Sequence, residues 1–329
     1  MPTTQLLGDS VLFFAPMNGG KTEALVQELK RAEFFNLNSI AYNHERNTRE
    51  KDAIVVDGRD RYLAKTVPNM SVLRHDLEER RRRVLSTRIG DQGIDGKIII
   101  EKVEHYKNRP LNVVGIDEVN LFCLDEREAA EMLDFMQWCK GEKIALYLSG
   151  LLYDFRHMEF GQVHAIVPYV DIRQDKKPAC MTMQGGNKCT NTAKHTQRVW
   201  STEFVREVGL ESLLSEMHLF DFVDKDKTTI IGKYVAAPFF DQTLRIQEEK
   251  DKKVKYLPVC TSCASLPYKE ETFRVYDAVI RGENTETLKS TLPLGPILYF
   301  LTEEKWIKQE EGILKPVDYH RNRLGRFSI

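Results

Sequence analysis

The sequence lacks a run of about 18 apolar residues, the minimum for a helix that crosses a bilayer. It also lacks an N-terminal basic segment followed by an apolar stretch, so no secretory signal peptide is predicted. Neither sign of charge dominates, since 48 lysines and arginines stand against 49 aspartates and glutamates. A general nucleic-acid binder would show a basic excess. These absences predict a cytoplasmic protein whose partners are small molecules, with no membrane or general nucleic-acid binding.

Cysteines are few, six in 329 residues. In a reducing compartment they favour free thiols or metal binding over disulfides. Cys123 and Cys139 stand among apolar residues and are predicted to be ordinary buried side chains. The other four form two pairs along the chain. This grouping predicts a role other than that of ordinary buried side chains.

Apolar strands alternate with amphipathic helices in the first half of the chain. Four strands are predicted, in DSVLFFAP, NSIAYN, LNVVGIDE and KIALYLSG, with helices at Lys21–Phe35 and Glu128–Trp138. Such alternation is typical of an α/β fold, in which helices cover a parallel sheet. The sequence therefore predicts a P-loop type of parallel sheet flanked by helices.

Composition changes along the chain predict three regions. Residues 1–171 would form one domain of alternating strands and helices, with a longer polar segment at about 57–110. Residues 172–263, with short irregular elements and four cysteines, would form a second, smaller domain, and residues 264–329 a C-terminal extension with no motif and a helix near Pro296–Lys308. The stretch DLEERRRRVL is interpreted as a solvated helix face rather than a nucleic-acid patch.

The stretch FFAPMNGGKTEAL resembles the phosphate loop G-x-x-x-x-G-K-[ST], with Ala15 in place of the first glycine. In such loops, backbone N–H groups at a helix N-terminus converge on phosphates. Lys21 would face solvent and reach the β and γ phosphates, and Thr22 would reach Mg²⁺. A glycine-rich turn with a surface lysine is the alternative. The predicted ATP contacts are Pro16, Met17, Asn18, Gly19, Gly20, Lys21 and Thr22.

The stretch VVGIDEV places two acids after an apolar strand, at the edge of the sheet where ligands bind in open α/β folds. Asp117 is predicted to join Thr22 at Mg²⁺. Glu118 is predicted to be the general base, with Lys21 as its catalytic partner. Two capping acids before a loop would be the alternative.

Five motifs in order resemble the type II thymidine kinase family. They are PMNGGKT, GIDEVNLF, GLLYDFRHMEFG, TIIGKY and YLPVCTSC, and they cover roughly Leu12 to Cys263. The resemblance implies ATP-dependent phosphorylation of a deoxynucleoside at its 5′-hydroxyl, with thymidine as the first choice. It also implies that residues 1–171 form a P-loop kinase domain and that residues 172–263 form a zinc-ribbon-like lasso domain that covers the nucleoside. The implied assembly is a homotetramer or a homodimer. The substrate contacts it implies are Met17, Leu151, Phe155, Phe160, Ile230, Gly232 and Tyr256.

The sequence departs from the family pattern at Asn120, Leu121, Leu152 and Lys233, and about twenty residues separate Lys233 from Tyr256. The lasso should therefore be longer or differently folded, and base selection altered. Arg49, in NTRE, is the nearest match to a family arginine that contacts phosphate.

The paired cysteines predict a structural zinc site. CTSC has the C-x-x-C spacing of a zinc knuckle, whereas the other pair has C-x8-C spacing with MQGGNK looped out between them. The alternatives are free thiols, or His195 in place of one cysteine. The predicted ligands are Cys180, Cys189, Cys260 and Cys263.

Two rivals to a nucleoside kinase stay open at this point. A diverged P-loop NTPase would use the same loop and acids without a lasso. A catalytically altered nucleotide-binding or sensing protein would fit the changed pocket and the extension. Nucleoside-dependent consumption of ATP distinguishes the kinase from both.

Overall fold

The computed structural model describes residues 8–47, 52–56, 60–90, 111–214, 217, 219–224, 227–242, 246–288, 293–310 and 313–317. The chain divides into two compact units. The first comprises residues 1–180 with 190–196, and the second comprises residues 181–189 with 197–329. Arg49 lies outside the described residues, as does the 91–110 part of the polar segment.

The first unit is built on a seven-stranded sheet in the order β3-β4-β2-β5-β6-β1-β7. Neighbouring strands are parallel except β3 and β4, which are antiparallel. The predicted fold class, a mainly parallel sheet flanked by helices, is confirmed. The strands are β1 (Ser10–Phe14), β2 (Asn38–His44), β3 (Ala53–Val56), β4 (Asp60–Val67), β5 (Leu111–Ile116), β6 (Ala145–Gly150) and β7 (Ile172–Asp175).

Helices pack on both faces of this sheet because side chains alternate along each strand. In β1, Val11 and Phe13 pack with the apolar side of the first helix, whereas Leu12 joins a cluster with the second and third helices. Both predicted helices form, although the third helix begins two residues earlier and ends three later than expected. The helices are α1 (Lys21–Phe34), α2 (Met70–Gly90), α3 (Glu126–Gly141) and α4 (Val163–Ile166), with 3₁₀ turns at Val119–Phe122 and Val167–Tyr169.

The polar segment contains the strand β4 and the helix α2, and β3 lies just before it; the sequence predicted neither strand. β4 alternates buried and exposed residues, so Tyr62 is buried while Leu63 is 84% exposed. This edge of the sheet buries only one face, which keeps its composition polar. In α2, Leu73 is buried, while Arg74 pairs with Glu78 at 3.0 Å on the outer side. The interpretation of this charge run as a solvated helix face is confirmed for the part with described side chains.

The second unit contains short strands and helices. Its three-stranded sheet has the order β13-β10-β14. The strands are β8 (Met183–Gln184), β9 (Asn187–Lys188), β10 (His195–Ser201, whose first two residues group with the first unit), β11 (Phe222–Val223), β12 (Thr229–Ile230), β13 (Tyr234–Ala236) and β14 (Val254–Val259). The helices are α5 (Thr202–Glu207) and α6 (Ile246–Lys250), with a 3₁₀ turn at Glu211–Leu213.

The C-terminal extension is folded over most of its described length. Its predicted helix begins at Leu294 and ends at Glu303. Lys305 then adopts a left-handed conformation with φ 59°, and the chain continues as a strand. The elements are α7 (Lys269–Ile280), a 3₁₀ turn at Thr285–Leu288, α8 (Leu294–Glu303), and the hairpin of β15 (Ile307–Glu310) and β16 (Ile313–Pro316). Among the helices of the described residues, none is both long and apolar enough for a membrane span.

Candidate active site

The loop between β1 and α1 is compact and depends on glycine. Gly20 precedes α1 with φ 82°, and Asn18 has φ 59°. A Cβ added at Gly19 would lie 2.6 Å from the Ala15 Cβ and 2.7 Å from the Pro16 carbonyl oxygen. Ala15 is therefore accommodated in place of the usual glycine because Gly19 has no side chain at the point of contact.

A hydroxyl from another segment of the same unit holds the middle of this loop. The Met17 N–H donates to Thr196 Oγ1 at 3.0 Å. Within the loop, the Gly19 N–H donates to the Pro16 carbonyl at 3.0 Å. These bonds restrict the backbone whose N–H groups would face a phosphate.

The expectation that Lys21 faces solvent is wrong. Lys21 is 3% exposed, and its Nζ lies 3.4 Å from Glu118 Oε1. Both groups occupy a space with little water, where a lone charge would be costly. The ammonium therefore pairs with the nearest carboxylate. The two predicted catalytic side chains are thus in contact.

Asp117 is the centre of a second buried group. Its Oδ1 accepts a hydrogen bond from Thr22 Oγ1 at 3.2 Å and a very short one from Ser149 Oγ. Its backbone N–H donates to the Tyr42 carbonyl at 3.0 Å, which fixes the end of β5 against β2. Thr22 and Asp117, predicted to share a metal, present oxygen atoms of the kind Mg²⁺ prefers.

Burial raises the pKa of Asp117 to about 6, with the negative charge of Glu118 acting in the same direction. The Lys21 ammonium and the Ser149 hydrogen bond oppose this change. An acid whose pKa is higher in the folded than in the unfolded protein loses stability as pH rises. The loss begins above the unfolded value and is complete once the pH exceeds the folded value.

Metal-free Asp117→Asn should therefore be more stable than the parent protein at pH 8. The advantage should shrink by on the order of 1 kcal/mol between pH 8 and pH 5, because Asp117 takes up a proton in the folded protein over this range. Urea unfolding of both proteins at the two pH values, without Mg²⁺, measures the difference. A variant that is less stable than the parent by the same amount at both values would contradict the cause assigned to the shift.

Glu118 has a left-handed backbone conformation, with φ 50° and ψ 50°. This conformation costs a non-glycine residue roughly 1–2 kcal/mol. The next turn is held by Asn120, whose Oδ1 accepts from the Leu151 N–H at 2.9 Å. A Cβ added at Gly150 would lie 2.6 Å from Val119 Cγ1, so the end of β6 closely approaches this turn. The packing holds Glu118 in place beside Lys21.

Three of the predicted base-pocket residues lie in one loop after β6. Leu151, Phe155 and Phe160 are all buried in the first unit. The Asp154 carboxylate organises the loop, accepting from the Arg156 N–H at 2.8 Å and from Arg156 Nε at 2.7 Å. Hydrogen bonds within the loop therefore fix the backbone that carries these buried apolar side chains.

The other predicted substrate contacts belong to the second unit. Ile230 ends β12 and is half-buried. Gly232 has φ 64°, and its N–H donates to Asp221 Oδ1 at 2.8 Å. Tyr256 is buried on β14, with the Arg198 guanidinium carbon 5.0 Å from its ring centroid. Their part in binding a nucleoside stays a prediction.

Four buried cysteines come together, and they are the four that the spacing suggested. The sulfur atoms of Cys180, Cys189, Cys260 and Cys263 all lie within 4.8 Å of one another. The wide C-x8-C spacing is bridged by the β8–β9 hairpin, in which Gly185 and Gly186 form the turn with positive φ. The expected looped-out insertion is thus a two-residue hairpin turn. The remaining two cysteines, Cys123 and Cys139, are buried as predicted.

The cluster fits a structural zinc ion. Tetrahedral coordination with Zn–S bonds of about 2.3 Å separates the sulfurs by about 3.8 Å. The sulfurs of Cys189 and Cys260 are 3.9 Å apart. Gln184 Nε2 donates to Cys263 Sγ at 3.0 Å, the kind of outer contact that orients a thiolate ligand. His195 stacks on His157 at 4.0 Å and is not part of the cluster.

Purified protein should contain about one zinc ion per chain. Cys260→Ser should release the metal and destabilise the second unit, because the binding free energy of a structural zinc ion is part of the folding free energy. Cys139→Ala is the matched control, since it removes a buried thiol of the first unit and should retain zinc. Elemental analysis with titration of the released metal provides the measurement. Four freely titratable thiols and no zinc in the parent would contradict the assignment.

Sequence reasoning missed three polar contacts at this site. Ser149 contacts Asp117, Thr196 accepts from Met17, and Asn120 holds Leu151. Only Ser149 carried a usable signal, because it stands at the end of an apolar strand next to the strand that bears Asp117. Thr196 is 179 positions from its partner, so no local pattern identifies it.

The fold and the polar groups at the carboxyl ends of β1, β5 and β6 describe an α/β protein with its candidate site at one edge of the sheet. A model of the thymidine kinase family matches residues 8–87 and 69–217. The thymidine kinase of Mesoplasma florum is 28% identical over 193 residues, which cover 59% of this chain and 77% of that protein.

The chain therefore belongs to the thymidine kinase family, as a diverged member. Membership supports nucleoside kinase activity, which is a transferase reaction. Residues 218–329 lie outside the matched span.

Proposed function

We propose that this protein transfers the γ-phosphoryl group of ATP to the 5′-hydroxyl of a deoxynucleoside, with thymidine as the preferred acceptor. The observation that carries the proposal is the contact between Lys21 and Glu118, beside Asp117 and Thr22, at the end of a glycine-dependent loop. A phosphoryl transfer enzyme needs a cation for phosphate and a base for the acceptor within one small space. The family match supports the same reaction.

ATP would bind with its phosphates against the backbone N–H groups of the Pro16–Thr22 loop. Thr22 and Asp117 would hold Mg²⁺, which neutralises developing charge on the phosphates when bound. Ser149 is fully buried and donates to Asp117, so it keeps that carboxylate turned toward Thr22. These groups position the donor before reaction.

Glu118 pairs with Lys21, whose Nζ lies 3.4 Å from Glu118 Oε1. An incoming phosphate competes for the Lys21 ammonium, because a phosphate offers more negative charge than a single carboxylate. Glu118 is then available to accept the proton of the 5′-hydroxyl. Donor binding and activation of the acceptor are coupled through this pair.

The family resemblance leads us to propose Met17, Leu151, Phe155 and Phe160 as contacts of the base. On the same ground we propose Ile230, Gly232 and Tyr256 as contacts of the nucleoside. Departures from the family pattern at Leu152 and Lys233 would alter base selection. The family resemblance further leads us to propose a cytoplasmic enzyme that acts in nucleotide salvage for DNA synthesis, as a homotetramer or a homodimer.

A panel of the common nucleosides and deoxynucleosides, each with ATP and Mg²⁺, tests the proposal by release of ADP. Release should depend on added nucleoside, with thymidine and deoxyuridine leading. ADP release at the same rate without any nucleoside would identify an NTPase instead. Binding of nucleotide without ADP release under any condition would identify a sensing protein.

A further inference from the structure

An aromatic cluster joins the C-terminal extension to the long segment between β13 and β14. Phe239 belongs to that segment and is fully buried. Its ring centroid lies 5.6 Å from Phe273, 6.0 Å from Phe300 and 6.4 Å from Trp306, all of which belong to the extension. Tyr276 completes the cluster through its contact with Trp306. The extension and the segment thus share one hydrophobic core.

Two further contacts fix the segment to the start of the extension. The Phe239 N–H donates to the Pro267 carbonyl at 2.8 Å. The neighbouring Phe240 ring lies 5.6 Å from Tyr268. The backbone of the segment is therefore held directly, in addition to the packing of its side chain.

The same segment binds the central strand of the small sheet through a buried ion pair. Asp241 Oδ2 accepts from an Arg198 terminal nitrogen at 2.8 Å and from Trp200 Nε1 at 2.8 Å. Its Oδ1 accepts from the Gln242 N–H at 2.8 Å. Arg198 and Asp241 are both buried, and a buried charge needs a partner of opposite charge. The Ala237 N–H also donates to the Arg198 carbonyl at 2.9 Å.

Arg198 in turn packs on Tyr256, which lies on the adjacent strand β14. Its guanidinium carbon is 5.0 Å from the Tyr256 ring centroid, within range for a cation–π contact. Asp241 fixes the guanidinium from one side, so the tyrosine ring meets a rigid surface. A continuous series of contacts runs from the extension through Phe239, Asp241 and Arg198 to Tyr256.

We propose that the C-terminal extension acts through Phe239 and Asp241 as a brace that positions Tyr256, so that it sets the affinity for the nucleoside and not for ATP. The inference rests on the proposed function, in which Tyr256 contacts the nucleoside. Arg198 and Asp241 are positioning residues in this arrangement. The residues beyond the family match and the long segment before β14 thus share one role, which is to position Tyr256.

Phe239→Leu tests the brace against Phe135→Leu as its matched control. Both changes remove one buried ring and should lower the melting temperature by several degrees, but Phe135 belongs to the core of the first unit and is not part of this series of contacts. Only Phe239 lies two residues from Asp241. Phe239→Leu should raise KM for the nucleoside about tenfold, the scale expected when a substrate-contacting group is displaced slightly. KM for ATP should stay within about twofold for both variants.

Equal effects of the two variants on nucleoside KM, or none from Phe239→Leu, would overturn the proposal. Hydrogen exchange across Val254–Val259 provides a readout that needs no turnover. Exchange there should speed up in Phe239→Leu and stay at the parent rate in Phe135→Leu. If the parent shows no nucleoside-dependent turnover, the proposed function fails, while exchange still decides whether the brace exists.

Discussion

Replacement of Glu118 by Gln should lower kcat by about 10²- to 10⁴-fold, the usual contribution of a general base. Gln keeps the size of the side chain and its hydrogen-bonding shape but accepts no proton from the 5′-hydroxyl. The nucleotide contacts belong to the Pro16–Thr22 loop, so KM for ATP should stay nearly unchanged. Steady-state kinetics at saturating nucleoside measure both quantities.

Glu126→Gln is the control, because Glu126 is an exposed acid in the first turn of α3 and touches none of the proposed machinery. It should leave kcat and KM at the parent values. Near-normal phosphorylation by Glu118→Gln would remove Glu118 from the mechanism. A large rise in KM for ATP with unchanged kcat would assign it to donor binding instead.

Replacement of Lys21 by Met should abolish productive use of ATP, with a loss of about 10²- to 10³-fold in turnover, the cost of removing one stabilising donor at a developing charge. The variant should be less stable by about 3–5 kcal/mol, because Glu118 stays buried without its cation, so turnover is measured below the melting temperature of the variant. MgATP should raise the melting temperature of the parent and no longer raise that of the variant. Thermal unfolding with and without MgATP measures this difference.

Lys30→Met provides the comparison, since Lys30 lies on the exposed side of the same helix. It should behave as the parent does in turnover and in stabilisation by MgATP. Full turnover by Lys21→Met would contradict the role given to the loop. If Lys21→Met fails to fold while Lys30→Met folds, the main role of the Lys21–Glu118 ion pair is to stabilise the fold.

The parallel sheet was predictable because its central strands are buried on both faces and therefore continuously apolar, as in β5 and β6. β4 was missed because one of its faces is exposed, which leaves a polar composition, whereas β3 is an apolar run of only four residues, too short to be assigned by pattern. The left-handed backbone of Glu118 was beyond prediction from sequence, since packing between Asn120 and Leu151 imposes it.

The contacts near the loop also divide into those that the sequence predicts and those that it does not. Thr22 and Asp117 are hydrogen-bonded to each other, at the positions of a P-loop hydroxyl and a strand-end acid, and their shared Mg²⁺ stays a prediction. The burial of Lys21 was missed because its charge suggested solvent, whereas its partner Glu118 lies 97 positions away along the chain. The cysteine cluster was predictable from the spacing of the cysteines alone. The hairpin at Gly185 and Gly186 brings the two cysteines of the widely spaced pair close together.

Transfer of isotopically labelled γ-phosphate from ATP tests the central claim most directly. With thymidine, Mg²⁺ and the parent protein, the label should appear on the 5′-oxygen of the nucleoside monophosphate, in proportion to ADP formed. Glu118→Gln should slow this transfer without diverting the label. Label that appears in inorganic phosphate at the same rate with and without any nucleoside would contradict the account.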